Sequence, residues 1–476
     1  MAEAERGGNA GLGGLWLSGL FALALTARLA MALAYPAYAG DSPGYLVLAE
    51  NIYRNGCVAA SPPEGAACLP EPGGSRLPGY PAVLALAWLL FGPSTVSALL
   101  LPCLLQALAI AWLAEAATRA AGSRAAGLAA GLLCALSPLQ VPYARFVLTE
   151  ALQTAAAWWV FAEMLRCLAL GRLAILPLAL ALGAALTLRY DALLLCLPVT
   201  ALGLLLHRPR EALRRGAILA VLLALLPGAW ALRNLAHGIP ALPRGDVASL
   251  PGYPLGYYRW GMSWTVSHYD GQAWAYPIGE RRWSDIVVPE RAYVSADERR
   301  QVATLLEALR RHDGKPVPAE IDAAFQSLYE ARKRAAPWRH YLFDPLRAIW
   351  DLAANPVTAN GWPTPAGDIG PERRLGGLMS LALAFPGDLA IRAGGNLYRY
   401  ALLLGALALL LWPVPLPRAV RWALALALGY FLLRLAVFGY GNRPITRYLL
   451  PGYAMLEAAL GMALAALLPR LRRADR

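Results

Sequence analysis

Long apolar runs alternate with short polar connections along most of this chain. Runs of about 20 apolar residues, the length that crosses the hydrocarbon core of a bilayer, fall at about 15 to 36, 95 to 116, 124 to 142, 146 to 168, 172 to 188, 191 to 207, 215 to 235, 396 to 412, 419 to 438 and 447 to 468. The pattern predicts about ten spans. Two weaker signals lie between the first and second runs. Behind Tyr38-Ala-Gly-Asp-Ser-Pro-Gly-Tyr45, residues Tyr45, Leu48, Ala49, Ile52 and Tyr53 recur at helical spacing with Glu50, Asn51 and Arg54 opposite. That is the signature of an amphipathic helix lying in the membrane interface, expected over 44–55. Leu77 to Phe91 is apolar but short and carries Pro78, Gly79 and Pro81 in its first turn, which predicts a second interfacial or re-entrant helix over 77–91.

The alternation breaks between 236 and 395, and this divides the chain. The expected fold is an all-α polytopic membrane protein with an N-terminal module over 1–235 and a C-terminal module over 396–476. Between them lies an extracytoplasmic, mixed or helical insert over 236–395. In the insert, Ser295-Ala-Asp-Glu298 resembles a capping box opening one helix, and a second helix is expected from about Pro318 to Ala336. The stretch YPLGYYRWGMSWTVSHYDGQAWAYPIGERRW has no period. Aromatic residues at this density can stack on sugars, but a small domain core or interface anchoring is the preferred expectation.

Composition agrees: 58% of residues are hydrophobic and 15% charged, against roughly 25% charged in soluble globular proteins. The net charge of +13 does not call for nucleic acid, because most arginines fall in short connections on one side, as the positive-inside rule requires. Arg119 and Arg124, Arg166 and Arg172, Arg208 to Arg215, Arg418 and Arg421, and Arg470 to Arg473 place those connections and both termini in the cytoplasm. The Asp41 to Arg76 connection and the insert then lie outside, and the first run reads as a retained signal-anchor. Cys103, Cys134, Cys167 and Cys196 sit in or beside apolar runs, whereas Cys57 and Cys68 share a polar outer loop, which makes them a disulfide candidate.

The candidate chemistry gathers on the outer side. Ser42 as N-cap with Pro43 in the first turn accounts for a helix start without Asp41. Asp41 is then available as a general base or metal ligand, with helix-start chemistry as the plain alternative. Arg76 and Tyr80 lie in RLPGYP, Arg145 and Glu150 in YARFVLTEAL, and Arg189 in LRYDALL. Arg233 closes the seventh run, and Arg443, Arg447 and Tyr448 precede the tenth. Arginines recurring at outer span ends, against the positive-inside bias, imply an anionic partner such as phosphate. Walker A, HExxH and GxSxG motifs are absent from the sequence, and the five histidines show no ligand spacing.

The early Gly-Asp-Ser-Pro-x-Tyr, the RLPGYP opening, Thr149-Glu150 and Arg233-Asn234 together resemble GT-C glycosyltransferases. The similarity is greatest to the branch of protein O-mannosyltransferases and bacterial lipid A aminoarabinose transferases, and it covers mainly the first 235 residues. The resemblance implies an inverting transferase of the cell envelope. It would move one sugar from a polyprenyl-phosphate donor to a lipid, polysaccharide or protein acceptor at the extracytoplasmic face of a bacterial inner membrane. It implies that Asp41 is the essential acid and that Glu150 is a second acid or a ligand for a divalent metal ion. Arg76 and Tyr80 would line the cavity, with Arg145, Arg189, Arg233, Arg443 and Arg447 as phosphate contacts. The long insert and only three later spans depart from the aminoarabinose transferases. A polyprenyl-linked glycan flippase and a glycan ligase are the alternatives.

Overall fold

A computed structural model describes residues 11–59, 76–238, 241, 254–267, 269–271, 273–275, 282–355, 358–365, 379, 382–441 and 445–474. Every apolar run forms helix. The N-terminal module contains α1 (Gly14–Ala34), α2 (Ser42–Asn55), α3 (Gly79–Phe91), α4 (Thr95–Ala121), α5 (Arg124–Ala135), α6 (Glu150–Leu170), α7 (Ile175–Leu188), α8 (Cys196–Leu206) and α9 (Pro209–Ala236). In the insert lie α10 (Leu255–Met262), α11 (Ala296–Arg310), α12 (Ala319–Ala335) and α13 (Asp344–Ala354). The C-terminal module is α14 (Pro386–Leu411), α15 (Arg418–Tyr440) and α16 (Leu450–Ala474). The described residues contain no β-strand.

Among the described residues, six helices are long and apolar enough to cross a membrane: α1, α4, α9, α14, α15 and the stretch Thr446–Leu468 that includes most of α16. The expected third, fifth and sixth spans are shorter apolar helices. At 1.5 Å per residue, the 12 residues of α5 fall well short of about 30 Å. The cause is local: α5 ends at Ala135, just before Ser137 and Pro138, and a short 3₁₀ turn, Val141–Arg145, leads on toward α6. The expected fourth span, α6, is buried along nearly its whole length between α4, α7 and α16.

With no water to desolvate inside a bilayer, such a bundle is held by close packing and by satisfied polar groups rather than by hydrophobic burial. Small residues line the contacts of α4, α5 and α16, where Ala107, Ala114, Ala130, Ala454 and Ala458 are inaccessible. The last carbonyls of α5, which no further turn of helix can satisfy, are capped by Arg28 of α1. Its guanidinium is fully buried and donates to Cys134 O at 3.1 Å, to Ala135 O at 3.0 Å and to the Gln106 side chain at 3.0 Å. Ser137 bonds Glu457, and Gln140 reaches Leu450 O at 2.9 Å, so the break after α5 is stitched to α16.

The aromatic stretch of the insert is core. Tyr257, Trp260, Trp264, Trp274 and Trp283 pack with Phe325 of α12 and Leu306 of α11, and none of the five faces solvent. Both expected insert helices are present. Ser295 caps α11 through Glu298 N at 3.1 Å, while Glu298 accepts from Val294 N instead of completing a box with Ser295. Cys57 is disulfide-bonded and the other four described cysteines are free. Cys68, its expected partner, lies outside the described residues.

Arg28→Met leaves the α5 carbonyls without donors. A loss of about 1–3 kcal/mol is expected for such orphaned groups, read as a fall of several degrees in the melting midpoint of the purified protein in detergent. An unchanged midpoint would show that the α5 terminus does not depend on this residue.

Candidate active site

The segment after α1, the N-terminus of α6, the turn between α7 and α8, and the start of the last span converge at one end of the bundle. The loop leaving α1 is fixed there by backbone and side chain together. Ala37 N donates to Arg145 O at 2.9 Å and pairs with Phe146 in a single parallel bridge. Ser42 accepts from Ala39 N and donates to Val147 O, both at 2.9 Å. Ser42 therefore is not the N-cap: α2 starts one residue earlier than that reading requires, Asp41 holds the cap position, and its side chain makes no capping bond.

The Asp41 carboxylate turns instead to Arg447, with Oδ2 accepting from Nη2 at 3.1 Å. Arg447 Nε lies 3.2 Å from Glu150 Oε1, close enough for an ion pair but not aligned as a hydrogen bond. Glu150 opens α6, where the helix dipole favours a carboxylate, and its Oε1 is 3.4 Å from Arg189 Nη1. Arg189 also receives support from Thr149 Oγ1 at 3.1 Å and pairs with Asp191 at 2.8 Å. Asp191 in turn pairs with Arg434 of α15 at 2.6 Å. The result is an alternating row, Asp41, Arg447, Glu150, Arg189, Asp191, Arg434, in which each charge meets an opposite neighbour. The Tyr448 ring supports two members by cation–π contact, with Arg189 at 4.6 Å and Arg447 at 5.7 Å from its centroid.

Asp41 differs from the other acids. Half of its side chain is exposed (50%), against 4% for Glu150 and 14% for Asp191. Tyr45 faces the same place. Burial first, then the Glu150 and Asp41 carboxylates, push its phenol up to about 12, so it stays protonated as a donor. Burial pulls the Arg189 guanidinium down, but the Asp191 and Glu150 carboxylates outweigh it and hold the group above its ordinary value.

The two sequence motifs close one wall of the site. Arg76 lies over the Tyr45 ring at 5.2 Å, in the space that a side chain at Gly44 would fill. Gly79 lets α3 approach the end of α7, where a Cβ would stand 2.6 Å from Thr187 O. Tyr80 packs edge-on against Tyr45 at 5.0 Å, and its buried hydroxyl has no hydrogen-bond partner. Arg145 is also unpaired: its Nε and Nη1 are buried without acceptors, its one ring contact is Phe146 at 4.8 Å, and burial lowers its affinity for a proton.

Other expected contacts lie elsewhere. Arg233 donates to Val58 O at 2.8 Å, next to the disulfide-bonded Cys57, and fastens that loop to the end of α9. Arg443 lies outside the described residues. Arg434 is a site residue that inspection of span ends overlooks. Its signal is a guanidinium inside the apolar run FLLRLAV, a position that normally requires a buried partner. The described residues hold no group of three or more His, Cys, Asp or Glu suited to a metal, and Asp41 and Glu150 share Arg447 instead.

Among the described residues, an all-helical bundle with an acid–guanidinium row at one end defines a multi-pass membrane protein. Residues 72–231, about a third of the chain, match the model of the dolichyl-phosphate-mannose-protein mannosyltransferase family. Arg76, Tyr80, Arg145, Glu150 and Arg189 fall within the match, whereas Asp41, Arg434 and Arg447 fall outside it. Among solved structures, ArnT from Cupriavidus metallidurans bound to undecaprenyl phosphate is 16% identical, covering 97% of this chain and 78% of that one, with a TM-score of 0.39. The archaeal oligosaccharyltransferase AglB from Archaeoglobus fulgidus, in complex with an inhibitory peptide and a dolichol-phosphate, is 12% identical over 97% of this chain and 51% of that one, with a TM-score of 0.47. No curated protein sequence matches this one.

Arg434→Met strands Asp191 beside a single guanidinium. The variant is expected to unfold several degrees lower, and Asp191→Asn added to it should recover part of the loss, because directly paired residues are not additive. Strict additivity in that double-mutant cycle would mean that the pair is not coupled.

Proposed function

We propose that this protein is an inverting glycosyltransferase that moves one sugar from a polyprenyl-phosphate donor to a membrane-associated lipid, polysaccharide or protein acceptor. The observation that carries the reading is the half-exposed Asp41 at the end of the charge row, in a chain whose residues 72–231 match the dolichyl-phosphate-mannose-protein mannosyltransferase family. The basic connections at the opposite ends of the spans support a bacterial inner-membrane location with the site on the extracytoplasmic face.

In this reading Asp41 takes the proton of the acceptor hydroxyl while that oxygen forms a bond to the anomeric carbon, opposite the phosphate. The bond from the anomeric carbon to the phosphate oxygen breaks, and its electron pair remains on the phosphate. Arg447, Arg145 and Arg189 stabilise that charge, and the phenols of Tyr45 and Tyr80 are donors within the same pocket. Arg447 has two acids to satisfy at rest. A donor phosphate competes with Asp41 for it, so donor binding releases the base. The guanidinium shared by Asp41 and Glu150 occupies the role a divalent metal ion would have between two acids, and no step is assigned to a metal.

Asp41→Asn should lower transfer of sugar by at least about 100-fold, the scale of general-base catalysis, with donor binding retained or tightened. Arg145→Ala should weaken donor binding about 10-fold or more, the scale of a lost charge-assisted hydrogen bond. Both are measured with purified protein in liposomes, following sugar transfer and carrier translocation separately. Wild-type turnover by Asp41→Asn would falsify the base assignment, and translocation without transfer would replace the enzyme by a flippase. Transfer should persist at full rate in excess EDTA; its loss, restored by a divalent ion, would return Glu150 to the role of metal ligand.

A further inference from the structure

One surface of the insert differs in chemistry from the rest. A π-helical turn, Arg339–Phe343, runs directly into α13. Trp338, Tyr341, Leu342, Phe343, Leu346 and Trp350 all stand exposed along this segment, with Trp338 at 72% and Trp350 at 69%. The insert buries its tryptophans at 260, 264, 274 and 283, and the part-buried Trp362 donates its Nε1 to Pro138 O at 2.9 Å, so this exposed row is not a remnant of an incomplete core.

The opposite face of α13 is seated on the membrane-crossing bundle. Pro345, Ala348 and Leu352 are buried, and Ile349 packs against the backbone of Gly439, one residue before the end of α15. The last carbonyls of α13 are capped from α14, where Arg399 donates to Ala353 O at 3.2 Å and to Asn355 O at 3.5 Å. This fixes α13 at the level where a spanning helix stops. Leu432, Val437 and Tyr440 near that end of α15 are themselves exposed and apolar, as a face turned to lipid must be. The exposed face of α13 continues that band, and the exposed Arg347 stands among its aromatic residues. Amphipathic rings with an occasional guanidinium are the chemistry of the headgroup layer.

We propose that residues 338–350 form an interfacial helix lying in the headgroup and upper acyl layer of the leaflet on the site side, holding the insert against the membrane beside the pocket. The occupant of this surface is lipid. A second copy of the chain and a protein acceptor are the competing occupants that the test must separate.

The full chain is reconstituted in nanodiscs of phosphatidylcholine and phosphatidylglycerol carrying a diazirine-labelled phospholipid, illuminated, and mapped by peptide mass spectrometry. Peptides spanning 338–350 should carry lipid adducts at a yield comparable to the α15 peptides and at least several-fold above α11. The double variant Trp338→Ser with Trp350→Ser should lose most of that labelling while its melting midpoint and elution volume stay those of the wild type. Labelling of 338–350 no higher than that of α11 overturns the proposal. So does protection of the segment in a dimer, shown by inter-copy cross-links at these residues and a doubled mass in native mass spectrometry.

Discussion

Taking a charge out of water is so costly that buried carboxylates and guanidinium groups are, as a rule, paired with an opposite charge or held by hydrogen bonds. This constraint organises the site. Six charges, contributed from the loop after α1, from α6, from the α7–α8 turn, from α15 and from the start of the last span, are arranged so that each inner member has an opposite charge on both sides. Losing an inner member would leave each of its two neighbours with one opposite charge fewer. The row ends at a half-exposed acid, the most accessible carboxylate of the series. The position of Asp41 is thus inherited from the charges behind it as much as from its own loop.

Much of this architecture is legible in the sequence, because membrane solvation writes itself in local patterns. The apolar runs, the amphipathic period behind Tyr45 and the proline-rich opening of α3 became helices, most of them near the expected bounds, although the third run stops at Ala135 and the eighth begins at Pro386. Asp41, Glu150, Arg189 and Arg447 stand out as charges at span ends and are brought together. Pairings are not legible. Asp191 meets Arg434 across 243 positions and Asp41 meets Arg447 across 406, and no local pattern encodes such separations. Arg233, equally prominent in sequence, serves a loop backbone instead. The shortness of α5 was hidden because the residues after Ser137 remain apolar although they leave the helix. The capping of its carbonyls by Arg28 is a tertiary solution that hydropathy does not register.

The insert separates two uses of aromatic residues that composition alone merges. Tyr257 and its four tryptophan neighbours meet in tilted and edge-on contacts, with Trp274 Nε1 donating to Thr265 at 2.9 Å and Trp283 Nε1 to Lys315 O at 3.0 Å. Two of the four indole tips are thus provided for, while Trp260 Nε1 and Trp264 Nε1 are buried without a partner. Beyond α12 the sequence returns to exposed aromatics, and the chain passes from a self-contained core to a segment seated on α15.

The link between Asp191 and Arg434 also bears on ancestry. The charge row is electrically neutral only when both membrane modules are counted: the first supplies Asp41, Glu150, Asp191 and Arg189, and the second supplies Arg434 and Arg447. A first module exchanged for that of a relative must therefore bring acids that match the arginines already present in the second, or carry its own second module with it. The two halves are thereby coupled through their charges, although the matched family segment ends within the first.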